Sequence, residues 1–203
     1  MSTDFDAKAA TWDTPEKIES SQKVAAAIQQ AVPLVGTWVL LDYGAGTGLV
    51  GEALSHQVAQ VIFADTSAGM RAEAAKRAAR QPDKLSVIDH DLSVAPLAAP
   101  VDCLVSSMAL HHIPDTQAVV NRMVASLRPG GWLALVDLAP DPDNTFHDDD
   151  HAGHRGIESD TLLGFLHEAG LVELTENTFM TINREKDGID YPQDVFLVAG
   201  HLP

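Results

Sequence analysis

The stretch 40-LLDYGAGTGLVGEAL-54 contains two overlapping glycine patterns that point to different chemistry. Gly44, Gly46 and Gly48 form G-x-G-x-G with Asp42 two residues ahead, whereas Gly46, Gly48 and Gly51 form G-x-G-x-x-G, the spacing of a dinucleotide-binding turn. Residues 37–44, TWVLLDYG, read as an apolar strand closed by glycine, and Leu49, Val50, Ala53 and Leu54 read as the start of a helix. This strand-turn-helix context gives either pattern physical meaning, because the turn lets backbone approach a ligand at a helix N-terminus.

The same alternation extends in both directions. Thr14-Pro15-Glu16 supplies a capping side chain, a proline suited to the first helical turn and an acid at the positive end of the helix dipole. Ile18, Val24, Ala25, Ile28 and Val32 then recur at helical spacing until Pro33. Residues 59–66 read as a second strand, Ser67 as the cap of a helix carrying Met70, Ala74 and Ala78, and residues 84–91 as a third strand. Residues 101–108 form a fourth strand, and Asp115 or Thr116 opens a helix with Val119, Val120, Met123, Val124 and Leu127 on one face. Arg128-Pro129-Gly130-Gly131 is expected to turn the chain into a fifth strand, 132–139. Ser159 is expected to cap a helix ended by Gly170, and two strand-like runs, 171–182 and 194–202, follow with a polar segment between them.

Strands apolar on both faces that alternate with helices predict a parallel sheet covered on both sides. The expected fold is α/β: a single-domain three-layer αβα sandwich with a seven-stranded, mostly parallel Rossmann-like sheet, its last two strands forming an antiparallel edge hairpin. Residues 1–203 are read as one domain, with an N-terminal helical lid or cap over 1–33, a ligand-binding core over 36–140 and an acidic, histidine-containing loop over 141–157.

The formal charge of −16, from 29 acids against 13 bases, argues against nucleic acid and anionic membrane as partners. The densest bases, Arg71, Lys76, Arg77 and Arg80, read as the solvated face of one amphipathic helix. No apolar run approaches the roughly 18 residues of a membrane span, and the N-terminus has no basic start followed by an apolar stretch, so the expected location is cytoplasmic. Cys103, the sole cysteine, sits in an apolar run and reads as a buried, inert thiol. Oligomeric state has no sequence signal.

Asp42 separates the two glycine frames. A carboxylate at the end of the first strand would repel a diphosphate, but it suits a ligand that carries a cation and no phosphate. S-adenosylmethionine is such a ligand, and here the sequence resembles the class I S-adenosylmethionine-dependent methyltransferases, whose first motif is an acid followed by G-x-G-x-G, matched by Asp42, Gly44, Gly46 and Gly48. The stretches FADTSAGM, DHDLS, LVSSMALHHIPD and LRPGGWLALVD resemble later motifs of that family in the same order. The resemblance implies a cofactor site of Asp42, Gly44, Ala45, Gly46, Asp65, Thr66, Met70, Asp91, Leu92 and Ser107. In it Asp65 would hold the ribose hydroxyls, Asp91 would meet the adenine amino group, and Leu92 would lie beside the ring. Gly51 becomes a helix residue that permits close packing on the sheet.

Methyl transfer from a sulfonium needs alignment and desolvation more than a catalytic side chain, so a general base is required only where the acceptor loses a proton. His112, beside His111 after the fourth strand, is the candidate base. The cluster 146-FHDDDHAGHRG-156 holds His147, Asp148, Asp149, Asp150, His151 and His154, and reads as a solvated loop ahead of an acceptor-site or metal role; no metal is expected. Phe5, Trp12, Phe146 and His154 are candidates for the lid or acceptor pocket, with Trp12 equally suited to core anchoring. The expected function is methyl transfer from S-adenosylmethionine to a small-molecule acceptor, with S-adenosylhomocysteine as product. Two alternatives stay open: an NAD-dependent oxidoreductase using the Gly46-Gly48-Gly51 frame, and a non-catalytic binder of S-adenosylmethionine or S-adenosylhomocysteine.

Overall fold

The first strand, β1 (Val39–Tyr43), is buried from Leu40 to Tyr43 in a computed structural model that describes residues 2–141, 154–186 and 189–203. Its side chains alternate between two cores. Leu40 packs with Ile28, Leu54, Phe63 and Val105 on one face, while Leu41 packs with Leu104, Val120, Met123 and Leu162 on the other. The first face is covered by α2 (Pro15–Ala31), α3 (Leu49–Leu54) and α4 (Ala68–Ala78), and the second by α5 (Thr116–Ala125) and α6 (Ser159–Glu168). The result is the expected three-layer αβα sandwich. Cys103 lies in the first core with no exposure, and burial pushes its thiol well above the ordinary range.

The remaining strands are β2 (Gln60–Ala64), β3 (Leu85–Ile88), β4 (Val101–Ser107), β5 (Leu127–Leu138), β6 (Val172–Lys186) and β7 (Ile189–His201). They form one sheet in the order β3-β2-β1-β4-β5-β7-β6, with β1 to β5 parallel and β7 antiparallel to both β5 and β6. From β1 the chain runs outward to β2 and β3, then crosses back to β4 on the other side of β1. That reversal leaves a crevice beyond the carboxyl ends of β1 and β4, where ligands of such sheets bind.

Local signals set most element starts. The side chains of Thr14, Ser67 and Asp115 accept from the amides of Lys17, Met70 and Ala118 at 3.4, 3.2 and 3.1 Å, capping α2, α4 and α5. Several boundaries differ from expectation; Leu127, expected on the face of α5, instead opens β5. Ser159 is the first residue of α6, and Glu158 holds the cap position with no side-chain bond. Residues 128–131 bow out between the Leu127↔Val101 and Trp132↔Cys103 pairs but stay within β5, because Gly130 donates to Leu202 at 2.7 Å and Gly131 accepts from Leu202 at 2.8 Å. The polar segment expected to join the last two strands is itself strand. Pairing of β6 with β7 continues through Thr181↔Asp194 to Lys186↔Ile189, past the point where β5 stops, so the polar residues are held by ladder hydrogen bonds rather than by a continuous apolar face. Helix α1 (Ser2–Lys8), continued by a 3-10 turn over Ala9–Thr11, gives the N-terminal cap a first helix that has no clear sequence signal. Among the described residues no helix is long and apolar enough to cross a membrane.

Gly51 sets how closely α3 lies on the sheet. A Cβ there would come within 2.7 Å of Phe63, 2.8 Å of Asp42 and 2.9 Å of Val61. Gly51→Ala is therefore expected to lower the unfolding free energy by about 1–3 kcal/mol through overpacking. Urea denaturation reads this as an earlier midpoint at constant slope, and an unchanged midpoint would show that α3 lifts off the sheet without penalty.

Candidate functional site

The turn after β1 runs through Gly44, Gly46 and Gly48 at φ of 68, 56 and 87°, left-handed values that side chains other than glycine disfavour. A Cβ on Gly44 would also meet the Ala109 side chain at 2.5 Å. Four amides of this turn are already engaged. Gly44 and Ala45 donate to the Ala64 carbonyl at 2.8 and 3.1 Å, Gly46 donates to Asp65 Oδ2 at 2.7 Å, and Gly48 donates to the Ala45 carbonyl at 2.9 Å. A dinucleotide turn instead aims its amides at phosphate. Here they close on the neighbouring strand end, beside two carboxylates, and this disfavours the Gly46-Gly48-Gly51 frame.

The Asp42 carboxylate points inward. It is 2% exposed, and its Oδ2 accepts from the Gly51 amide at 2.9 Å, so it caps α3 from beneath the turn. An effect on a cationic ligand would thus act through its field rather than through an open contact. Burial lifts its carboxyl to about 7; the Gly51 amide opposes the rise, and the charge of Asp65 adds to it.

Asp65 follows β2, half-buried. Its Oδ2 holds the Gly46 amide and its Oδ1 takes the Ser67 amide at 2.8 Å, which leaves lone pairs on both oxygens for a diol. Asp91 follows β3 and accepts from the Tyr43 hydroxyl at 3.3 Å and the Ser93 amide at 2.7 Å. Burial, with the Asp91 carboxylate beside it, pushes the Tyr43 phenol above its usual range. Met70 is buried, its sulfur 3.9 Å from where a Gly46 Cβ would stand. Ser107 is half-buried at the end of β4, and it is its neighbour Ser106 that donates to the Tyr43 carbonyl, at 2.9 Å. Thr66 is exposed, and Leu92 is fully buried in the second core. A residue with no exposed surface lines no open pocket, so Leu92 packs beneath the site in this structure.

The N-terminal segment lies over the turn. Trp12 Nε1 comes as near as Met70 to the Gly46 Cβ position, and Asp13 accepts from the Thr47 hydroxyl at 2.5 Å and from Arg77 at 2.7 Å. Arg77 also pairs with Glu52 and donates to the Thr47 carbonyl at 2.9 Å. Phe5 meets Trp12 and His112 edge-on, at centroid distances of 5.8 and 5.2 Å. His112 in turn lies 4.1 Å from the His111 ring, centroid to centroid. His111 is 2% exposed and its Nδ1 is 2.5 Å from Oδ1 of Asp137, a carboxylate with no exposure that also accepts from the amides of Leu110, His111 and Leu138. This pairing of His111 with the end of β5 has no sequence signal, since 26 residues separate the partners. The His154 amide donates to the His111 carbonyl at 2.6 Å, which ties the end of the acidic loop to the histidine turn. Phe146, His147, Asp148, Asp149, Asp150 and His151 lie outside the described residues. Among the described residues, no group of three or more His, Cys, Asp or Glu gathers as a metal site.

Asp42 and Asp65 thus flank the turn, and its Gly44, Ala45, Gly46 and Gly48 amides are taken up within the protein. Asp42 also provides a pH test. Its folded pKa lies above the unfolded value, so the group favours folding most below about pH 4, and that contribution fades as pH rises to about 7. Asp42→Asn is expected to flatten the fall in stability across this range and to gain on the wild type by on the order of 1–4 kcal/mol at pH 8. Denaturation at pH 5 and 8 measures the difference, and equal slopes for the two proteins would contradict it.

Residues 40–131 match the family model of a methyltransferase domain, a span that runs from β1 through the turn, Asp65, Asp91 and β4. An uncharacterized methyltransferase of Mycobacterium tuberculosis is 37% identical over 112 residues, 55% of each chain. The ubiquinone biosynthesis O-methyltransferase of Xylella fastidiosa is 34% identical over 115 residues, 55% of this chain and 46% of that one. The chain spans about half the length of the curated relatives it matches. Among solved structures, the magnesium protoporphyrin IX methyltransferase of Synechocystis, with S-adenosylhomocysteine bound, shares the fold at a TM-score of 0.62 and 17% identity, over 92% of this chain and 84% of that one. The matched span runs through the glycine turn and Asp65, on a sheet whose fold is shared with a solved methyltransferase, so residues 40–131 are similar to a methyltransferase domain.

Proposed function

We propose that the protein transfers a methyl group from S-adenosylmethionine to a small-molecule acceptor and releases S-adenosylhomocysteine. The observation that carries this reading is the glycine turn, whose Gly44, Ala45, Gly46 and Gly48 amides are closed on Ala64, Ala45 and Asp65 and which is flanked by the carboxyls of Asp42 and Asp65. S-adenosylmethionine, when bound, supplies a methyl group already activated on a sulfonium. The protein's part is to hold, orient and desolvate. Asp65 accepts from the ribose hydroxyls with its remaining lone pairs, and Asp91 accepts from the adenine amino group. Gly44, Ala45 and Gly46 let the backbone approach closely, with Met70 and Ser107 bordering the ligand, Thr66 at its rim and Leu92 behind it. Asp42, buried beneath the turn, would favour the cationic amino-acid end by giving up its proton as that end approaches.

The acceptor enters from the side of His112. Where its nucleophilic atom carries a proton, His112 takes that proton as the methyl carbon bonds to the acceptor and the carbon–sulfur bond breaks. The His111 ring, held by Asp137, backs His112 and fixes its plane. The net charge of −16 favours a neutral or cationic small acceptor over nucleic acid or an anionic membrane.

Isothermal titration with S-adenosylhomocysteine is expected to show one site, and Asp65→Ala to weaken it by about 10- to 100-fold through loss of two charge-assisted hydrogen bonds. Binding of NADH without binding of S-adenosylhomocysteine would refute the reading. With labelled S-adenosylmethionine and a panel of phenols, carboxylic acids and amines, His112→Ala is expected to slow transfer to hydroxyl acceptors by about 10²- to 10⁴-fold while leaving S-adenosylhomocysteine affinity within about threefold. A rate unchanged by the substitution would remove the base role.

A further inference from the structure

Helix α1 crosses the N-terminus of α4 at Gly69. A Cβ on Gly69 would stand 2.8 Å from both the Cα and the carbonyl oxygen of Asp6, and 3.2 Å from the carbonyl carbon. All three are backbone atoms that cannot swing aside. Gly69 has an ordinary φ, so glycine is not required there by backbone conformation, and within a helix it is less favourable than alanine. Gly164, also helical, faces open space. The missing side chain at position 69 therefore serves the approach of α1. At the same crossing, Asp6 Oδ1 accepts from the Ser67 hydroxyl at 2.5 Å and the Gly69 amide at 2.8 Å, adding a second carboxyl-type cap to a helix that Ser67 already caps. These bonds hold the Asp6 carboxyl below its ordinary range, the Ser67 hydroxyl having the larger effect.

This seat fixes the position of the residue before it and of the turn after it. Phe5 stands edge-on to His112 at 82°, and Trp12, edge-on to Phe5, reaches the Gly46 turn. We propose that Asp6 and Gly69 are positioning residues for methyl transfer: they seat α1 on α4 so that Phe5 and Trp12 form the wall of the site between the glycine turn and His112. The proposal rests on the methyl-transfer reading for its ligand, but the seat itself exists without one. With the wall displaced, the cofactor side loses Trp12 and the acceptor side loses Phe5.

The test compares Gly69→Ala, Asp6→Ala, Asp6→Asn and the control Gly164→Ala in the full chain. Without ligand, Gly69→Ala and Asp6→Ala are expected to speed trypsin cleavage after Lys8 and to shift tryptophan emission to the red, with Gly164→Ala unchanged. With S-adenosylhomocysteine, the same two variants are expected to bind at least about tenfold more weakly, and Asp6→Asn, which keeps the accepting oxygen, to recover most of the loss. If Gly69→Ala fails to fold, Asp6→Ala carries the same readouts. Wild-type cleavage and emission in these variants would overturn the seat. Faster cleavage with unchanged S-adenosylhomocysteine affinity would overturn the positioning role. Absence of S-adenosylhomocysteine binding by the wild type would instead refute the methyl-donor reading, and leave the ligand-free results to decide the seat.

Discussion

The ligand edge of this protein is organised by the hydrogen bond from the Gly46 amide to the Asp65 carboxylate. It joins the turn after β1 to the end of β2, and the other oxygen of the same carboxylate holds the Ser67 amide. Ser67 then caps α4 and donates to Asp6 of α1. One chain of hydrogen bonds thus runs from the glycine turn through the second strand and the α4 cap to the N-terminal helix. Each link restricts the next, because a carboxylate fixed at one oxygen presents its other oxygen in a defined direction.

This arrangement also determines the electrostatic character of the edge. Asp42 lies near the end of β1, and Asp65 and Asp91 follow β2 and β3, yet they sit in different surroundings. Asp42 is sealed beneath the turn and its proton is held to about pH 7, whereas Asp65 and Asp91 remain partly open and carry backbone donors. A cation arriving near Asp42 would favour loss of that proton, so ligand charge and carboxyl ionisation are coupled at this position. On the opposite side of the crevice, Asp137, with no exposure, gathers three amides and the His111 ring, and so ties the Leu110–His112 turn to the end of β5.

Local chemistry was legible wherever a residue acts on its immediate neighbours. Thr14, Ser67 and Asp115 each cap the helix expected of them, and the glycines of the first turn take the left-handed conformations that their spacing implied. The family resemblance found the acids at the end of β1 and after β2 and β3. It did not reveal that Asp42 turns inward to Gly51, that Leu92 is sealed in the core, or that Arg128–Gly131 stays paired with the C-terminus. Ser159 misled because a hydroxyl near a helix start caps only when its backbone is extended, and here that conformation belongs to Glu158.

Taken alone, the sequence determined the alternation of elements and the parallel character of the sheet, since apolar periodicity and capping residues are properties of contiguous residues. Only the tertiary structure decided which carboxylates face a ligand and which face the protein, how His111 meets Asp137, and how α1 is seated against Gly69. Those contacts join residues 9 to 63 positions apart, and no local pattern encodes them. They exist because the crossover from β3 to β4 brings the ends of separate strands to one edge.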